Sequence, residues 1–249
     1  MSTIRFIGCF ALGLVILLGF STGAVHARPC ELPDFGSASF TEPLVIDNPF
    51  WPLVPGTTFV YEPVPNEDNV VNTITVTSDT KIITVDSKTI ECRVVYDVET
   101  VDEVLTEETY DWYAQDDDGN IWYCGEETYA YSYDEDGNLI DTSTEGSWEA
   151  GVDGALPGYL ILAEPRPGVC YQQEYYEDKA EDSAKVLRLN AKVSVEYGDY
   201  KKCLKTKEWT PLEPGNIEHK YYAPGTGLVL IEELKGKTVR VELISITRP

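Results

Sequence analysis

The sequence predicts a mainly β protein with little helix, made of curved antiparallel sheets from two tandem similar halves in a half-barrel-like arrangement. Three observations support this fold class. Runs rich in Val, Ile, Thr and Tyr alternate with a period of two, Gly and Pro clusters separate these runs, and the second half of the chain echoes the first.

The predicted strands follow one another with turn signals such as "PLVPG", "EPRPG" and "APGTG" between them. The clearest strand-like runs are residues 69–85, 89–101, 108–115, 120–133, 191–197 and 227–234. Residues 175–190 are ambiguous, because Glu181 and Lys185 have the i,i+4 spacing of a helix. A short helix there is the alternative to a strand.

The internal repeat has a nearly constant offset that shrinks along the chain, as loop deletions would make it. Four residues of "PGTTFVYE" match "PGVCYQQE" 112 positions later, and the next matches lie 111, 109 and 108 positions apart. The matched pairs are Pro55 with Pro167, Gly56 with Gly168, Phe59 with Tyr171, Glu62 with Glu174, Cys92 with Cys203, Glu107 with Glu218, Tyr110 with Tyr221, Tyr113 with Tyr222, Ala114 with Ala223, Gly119 with Gly227, and Ile121 with Val229. We therefore expect a first β repeat over residues 45–150 and a second over 151–249, packed together as one unit.

The first 27 residues have the features of a signal peptide. Arg5 precedes an apolar run from Phe6 to Phe20, and small residues end at Ala27, near which we expect cleavage. The apolar run has about 15 residues, fewer than a membrane span needs, so no integral membrane insertion is expected. The sequence thus predicts a secreted or periplasmic protein, with an N-terminal extension over residues 28–44 before the first repeat.

The chain is strongly acidic, with a net charge of −24. Removal of residues 1–27 takes away Arg5 and no acid, which leaves 18 Lys and Arg against 43 Asp and Glu, a net charge of −25. Nucleic acids and anionic membranes attract basic surfaces, so no nucleic-acid partner is expected.

The numbers of histidine and cysteine residues limit the kinds of site that the chain can form. After cleavage His219 is the one remaining histidine, which disfavours imidazole-based metal sites and a Ser-His-Asp triad. Five cysteines remain in a compartment that permits disulfides. Because Cys92 and Cys203 occupy equivalent places in the two halves, we predict that they pair, with Cys124 and Cys170 as the next pair and Cys30 left over.

The stretch "YAQDDDGNIWY", residues 113–123, occupies the place of "YAPGTGLVL" in the second half, where the turn is made without acids. A tight hairpin turn at Asp118 and Gly119 is the first interpretation. The glycine does not have its EF-hand position, but the excess of acids leaves a weak calcium site as an alternative. Its candidate ligands are Asp116, Asp118, Asn120, Glu126 and Glu127.

Aromatic residues beside carboxylates suggest a second kind of site. Sugar-binding sites stack pyranose rings on aromatic side chains, and glycosidases flank the bond with two acids. The candidate ligand-binding residues are Trp112, Tyr113, Trp122, Tyr221 and Tyr222, and an enzyme would use Asp111, Glu126 and Glu174. The lysines of "KKCLKTKEW" either pair with an acidic strand such as residues 103–108 or dock an acidic ligand.

The Pro-Gly opening strand and the meander that ends in "EHKYYAPGTGLV" resemble secreted bacterial β proteins whose repeats are similar to the lipoprotein-carrier half-barrel. The resemblance covers most of residues 45–249. It implies a concave face that binds an apolar ligand, and it implies no known reaction. Those carriers have a helical lid, which this sequence lacks.

The sequence therefore predicts an exported, non-catalytic binding protein with a small-molecule, lipid or glycan ligand on a concave sheet face, and calcium as its one candidate cofactor. A carboxylate-based hydrolase or carbohydrate-binding protein is one alternative, because acids would have to supply general acid and base catalysis without histidine. A structural envelope or interaction protein is the other. The sequence does not indicate an oligomeric state.

Overall fold

A computed structural model describes residues 30–236 and 238–249, so the signal peptide predicted at residues 1–27 lies outside the described residues. The prediction of a mainly β fold is confirmed. The described residues form fifteen strands and no helix, and all strands belong to one antiparallel sheet. The helical alternative for residues 175–190 is wrong, because a turn at residues 177–179 leads into a strand at Ser183.

The first eight strands are β1 Thr58–Val64, β2 Val70–Val85, β3 Lys88–Val101, β4 Val104–Gln115, β5 Ile121–Tyr133, β6 Leu139–Ser143, β7 Trp148–Glu149 and β8 Leu156–Ile161. The other seven are β9 Cys170–Gln172, β10 Glu174–Tyr175, β11 Ser183–Val195, β12 Gly198–Trp209, β13 Ile217–Ala223, β14 Gly227–Glu233 and β15 Val239–Thr247.

The sheet is a meander in which most neighbouring strands are also neighbours in sequence. Its order is β10-β8-β5-β4-β3-β2-β1-β15-β14-β13-β12-β11-β9, and β6 and β7 also pair with β5. The first and last strands meet in the middle of this order, where β1 pairs with β15. The two outermost strands, β9 and β10, follow one another in sequence with only Gln173 between them. No ladder joins them, so the sheet is not closed.

Two positions matched in the internal repeat make equivalent backbone hydrogen bonds. The N–H of Gly56 donates to the carbonyl of Val76 at 2.8 Å, and the N–H of Gly168 donates to the carbonyl of Val186 at 2.8 Å. Both glycines have positive φ, 88° and 93°, which a residue with a Cβ adopts only at a cost. The same bend thus precedes β1 and β9. The proposed division at residues 45–150 and 151–249 stays a prediction.

The inward face of the sheet is apolar in one part and polar in another. Val70, Ile74 and Val76 alternate with outward residues along β2, as a half-buried strand requires. Asn72 shares that inward face and donates to the buried carboxylate of Asp97 on β3. Polar side chains therefore extend into the interior, where each must find a partner.

The N-terminal segment, which we define as residues 30–57, lies across the sheet without forming a strand of its own. The ring of Phe35 packs edge-on against Trp122 at 5.2 Å between centroids. The ammonium of Lys88 donates to the carbonyls of Phe35, Gly36 and Ala38. The segment thus covers part of the aromatic core of the sheet.

The predicted disulfide pairs are wrong. Cys30 is bonded to Cys170, while Cys92, Cys124 and Cys203 are buried free thiols. β3 and β12, which carry Cys92 and Cys203, are separated by five strands, so equivalence in the repeat does not bring them together. Cys170 instead meets Cys30, because the N–H of Gln172 donates to the carbonyl of Glu31 and aligns the two segments.

Candidate functional site

The centre of the inward polar face is a pair of carboxyl groups on β4 and β5. Asp111 lies directly opposite Glu126 in the ladder, and each is 2 % exposed. The hydroxyl of Tyr123 donates to Asp111 Oδ1 at 2.8 Å, and the hydroxyl of Thr128 donates to Glu126 Oε2 at 3.1 Å. Two like charges side by side in the interior cannot both be stable, so this pair favours the protonated form.

Glu174 on β10 joins this pair, and it is also buried. Its charge repels those of Asp111 and Glu126, which contributes to the raised pKa of Glu126 after burial itself. The structure therefore brings together all three acids that the sequence suggested for an enzyme. The sequence did not indicate that they would be enclosed.

A buried lysine provides the opposite charge. Lys220 on β13 approaches Glu208 Oε2 at 3.0 Å and Glu218 Oε2 at 3.4 Å. Glu208 also accepts hydrogen bonds from the hydroxyls of Thr206 at 2.6 Å and Tyr222 at 2.9 Å. Together these groups place one ammonium beside several carboxyls. Sequence reasoning missed Lys220, because a lone lysine in a strand usually points to solvent.

Burial raises the pKa values of several acids in this group of side chains. We call the group the carboxyl cluster and define it as Asp111, Glu126, Glu174, Asp182, Glu208, Glu218 and Lys220. Burial and the nearby Asp97 raise the pKa of Asp111 to about 8, against the opposing hydrogen bond from Tyr123. Burial raises the pKa of Asp182 to about 7, although Lys220 opposes this shift. Burial also raises the pKa values of Glu126 and Glu174. Neutral carboxylic acids can donate protons, but no residue of this cluster lines the apolar pocket described below.

The five aromatic residues predicted to bind a ligand belong to the core. Trp112, Tyr113, Trp122, Tyr221 and Tyr222 are all buried. Trp122 packs on Tyr159 at 4.4 Å between ring centroids, and the ammonium of Lys81 lies 4.4 Å from the ring of Trp112. Their rings contact protein atoms, and their role in binding stays a prediction.

The acidic loop after β4 is a turn held by Asp116. Its carboxylate accepts hydrogen bonds from the N–H of Asn120 at 2.8 Å and from Trp122 Nε1 at 2.8 Å. Gly119 has a φ of 91°, the conformation expected for a tight hairpin. These bonds explain Asp116 and Asn120 as turn residues.

The other candidate calcium ligands point to different places. Glu126 belongs to the carboxyl cluster, Glu127 accepts from the hydroxyl of Tyr129 at 2.7 Å, and Asp118 is exposed. Over residues 30–236 and 238–249, no group of three or more His, Cys, Asp or Glu side chains is arranged to hold a metal ion. The calcium site stays a prediction, and the geometry favours the turn.

An apolar pocket lies between the N-terminal segment and the sheet. Its wall is formed by residues of that segment, of β1 to β3, of the turn before β14 and of the start of β14: Trp51, Pro52, Leu53, Phe59, Tyr61, Ile74, Val95, Thr226, Gly227 and Leu228. The cavity volume is about 20 Å³, which is room for about one water molecule. The pocket is thus nearly filled by its own walls.

Residues 49–54, which we call the strap, form the cover of this pocket. The N–H of Trp51 donates to the carbonyl of Asn48, and that of Leu53 donates to the carbonyl of Ile46, both at 3.0 Å. These bonds stay inside the N-terminal segment. One backbone bond to the sheet side comes from Gly225, whose N–H donates to the carbonyl of Pro49 at 2.7 Å. Beyond Pro49, the strap is therefore held to the sheet mainly by side-chain packing.

Trp51 is the largest side chain of the strap. Its ring packs edge-on against Tyr113 at 5.7 Å and against Tyr222 at 5.9 Å, two residues matched in the internal repeat. Its Nε1 is buried and has no hydrogen-bond partner among the described residues. An unsatisfied buried N–H is unfavourable by about 1 to 3 kcal/mol. Sequence reasoning missed Trp51, although a Trp between two prolines in "PFWP", residues 49–52, marks an irregular anchored segment.

In the part of the chain that the structure describes, there is no helix that could cross a membrane. No family model and no curated protein matches the sequence.

Two solved structures are similar in fold. One, from Bacteroides fragilis, is named as an exported protein with a YmcC-like fold; it has a TM-score of 0.45 and 14 % identity, and the match covers 80 % of this chain and 99 % of that one. The other, from Parabacteroides distasonis, is named as a lipoprotein; it has a TM-score of 0.43 and 12 % identity, over 80 % of this chain and 98 % of that one. Neither is named as a lipoprotein carrier, and likeness at this level assigns no function.

Proposed function

We propose that the chain is an exported, non-catalytic binding protein, and that its ligand is a small apolar molecule with one hydrogen-bond acceptor. The observation that carries this proposal is that Trp51, whose buried Nε1 has no hydrogen-bond partner among the described residues, lines an otherwise apolar pocket. Ligand pockets are typically apolar with a few polar groups that fix orientation.

The pocket walls define the chemistry of the ligand. Leu53, Phe59, Ile74 and Leu228 offer hydrocarbon surface, and the nearby hydroxyl of Tyr61 is already used, because it donates to the carbonyl of Leu228 at 2.9 Å. Trp51 Nε1 is a donor only. A carbonyl, ester or carboxyl oxygen on an apolar body would satisfy it.

The size of the pocket requires the strap to move. A cavity of about 20 Å³ holds about one water molecule and excludes an acyl chain. The strap is the wall whose backbone bonds are local, so it is the wall that can open. Binding would exchange the contacts of Trp51 and Leu53 with the sheet for contacts with the ligand.

The carboxyl cluster does not favour the hydrolase alternative. Asp111, Glu126 and Glu174 lie together, but a glycoside substrate needs an open path to both acids. Their burial supports a structural role.

The test is a titration of residues 28–249 with a neutral naphthylamine dye whose fluorescence rises in apolar surroundings. We expect saturable binding by the parent protein. Thr226→Phe, which fills the pocket from its half-exposed rim, should weaken dye binding at least tenfold.

The matched control is Thr142→Phe, the same substitution at an exposed position on β6. It should bind the dye like the parent, and both variants should melt within a few degrees of it. Equal affinities for the two variants, or no saturable binding by the parent, would contradict the proposal.

A further inference from the structure

Two pairs of like charges face one another on the outer side of β11 and β12. Lys185 lies directly opposite Lys207, and Arg188 lies opposite Lys205. Lys185 and Arg188 are exposed, and the two lysines of β12 are half-buried. We call these four residues the basic face. Like charges directly opposite in a sheet are destabilising, so folding alone does not explain this arrangement.

Acids are abundant in the chain but are not placed to neutralise this face. Glu232 approaches Lys205 Nζ at 3.7 Å, and it is shared with His219 and Arg240. The ion pairs of the described residues include none with Lys185, Arg188 or Lys207. The expected pairing of this lysine-rich strand with residues 103–108 does not occur, because β12 pairs with β11 and β13.

Aromatic rings lie among these cations. The ammonium of Lys205 is 4.6 Å from the centre of the Tyr221 ring, and that of Lys207 is 5.0 Å from the Trp209 ring. Trp209 is half-buried and keeps part of its surface in contact with solvent. The face therefore combines cations with hydrocarbon surface, the combination that acidic sugars contact through carboxylates and ring C–H groups.

We propose that the basic face binds an anionic polysaccharide. Lys185 and Lys207 lie on strands that are paired on both sides, with β9 and β12 and with β11 and β13. A peptide therefore cannot add a strand beside either of these two lysines, which removes, at their positions, the common way in which sheets bind extended peptides. Side chains make the contacts, and a linear polyanion spans both charge pairs.

The net charge of the chain does not prevent this binding at physiological ionic strength. The Debye length is about 8 Å at 0.15 M salt, so acids on distant surfaces are largely screened. Binding depends on the local cations and should weaken as salt rises, because bound counterions are released.

The test measures binding of residues 28–249 to immobilised polygalacturonate at about 0.15 M salt, with dextran as the neutral glycan and polyglutamate as the acidic peptide. We expect polygalacturonate binding that Lys185→Glu with Lys207→Glu weakens at least tenfold. Lys179→Glu with Lys235→Glu changes the net charge equally at exposed turn positions and should change the affinity less than twofold.

A single variant separates function from folding. Lys185→Glu replaces a like-charge pair by an opposite-charge pair, so it should lower the affinity without lowering the melting temperature. Equal losses in the two double variants, no binding of polygalacturonate, or equally tight binding of polyglutamate would overturn the proposal. Thr226→Phe should bind polygalacturonate like the parent, which keeps this test independent of the pocket.

Discussion

Asp111 and Glu126 lie directly opposite one another on β4 and β5, and both are buried. Burial raises the pKa of both carboxyl groups and so favours their protonated form, and the pKa of Asp111 is raised to about 8. The groups that face Asp111 are Asp97, Glu126 and Glu174, with Lys220 as the opposing charge and Tyr113 and Tyr123 as hydrogen-bond partners.

This pair predicts that stability falls as the pH rises towards 8. A carboxyl whose pKa is higher in the folded state stabilises the fold fully at a pH below its unfolded pKa, which is 3.8 for Asp111. That stability is lost as the pH rises from the unfolded pKa to the folded pKa. The loss is about 1.4 kcal/mol per pH unit for one fully titrating group. Thermal melts between pH 5 and pH 9 should show it.

Asp111→Asn should flatten this pH dependence and stabilise the protein above pH 8, because the amide has the shape of the neutral acid and never ionises. Tyr123 can still donate to its oxygen. Asp118→Asn, at an exposed turn position, should leave the profile unchanged. Identical profiles for all three proteins would refute the role of the carboxyl cluster.

The Cys30–Cys170 disulfide joins residues 140 positions apart. In the chain-entropy model such a loop contributes about 4 to 5 kcal/mol. We expect Cys30→Ser and Cys170→Ser each to lower the melting temperature by on the order of 10 °C. The double variant should lose no more than either single one, and non-reducing peptide mapping should recover the 30–170 link. A larger loss in the double variant would mean that the two cysteines act separately.

The three free thiols should be unreactive in the folded protein. Cys92, Cys124 and Cys203 are buried, and burial raises the pKa of Cys203 to about 11. The thiolate is the nucleophile, so iodoacetamide at pH 8 should label all three only after denaturation. Rapid labelling of the native protein at any of them would contradict their placement.

The turn after β4 predicts different costs for two neighbouring aspartates. Asp116→Ala removes the acceptor of Asn120 N–H and Trp122 Nε1 and should destabilise by about 2 to 3 kcal/mol. Asp118→Ala should change stability by less than about 0.5 kcal/mol. Melts in EDTA, magnesium and calcium test the ion directly. A calcium-specific rise that Asp118→Ala abolishes would replace the turn with a metal site.

Local patterns in the sequence were sufficient to predict several of the longer strands and the turn after β4, although the six clearest runs are fewer than the fifteen strands of the described residues. Period-two alternation and the Gly and Pro punctuation report on neighbours along the chain, and residues 120–133 and 227–234 are strands as predicted. Asp118 and Gly119 form the expected turn for the same reason.

Long-range contacts were beyond such patterns. The Cys30 pairing depends on where the N-terminal segment crosses the sheet, and the burial of Asp111, Glu126 and Glu174 depends on which strand face turns inward. From the sequence, an aromatic residue such as Trp122 fits an exposed binding surface as well as it fits the core, because periodicity does not say which face of the sheet is enclosed.

Hydrogen exchange at the amides of Trp51 and Leu53, measured with and without the naphthylamine dye, tests directly whether a ligand binds beneath the strap. Both amides donate only to carbonyls within the N-terminal segment, so a local opening should let them exchange faster than the central β3 amides in the free protein. We expect bound dye to slow exchange at both amides and to leave exchange at the central β3 amides unchanged. Exchange at Trp51 and Leu53 that is as slow as in β3 without dye, or that dye does not alter, would contradict a ligand pocket beneath the strap.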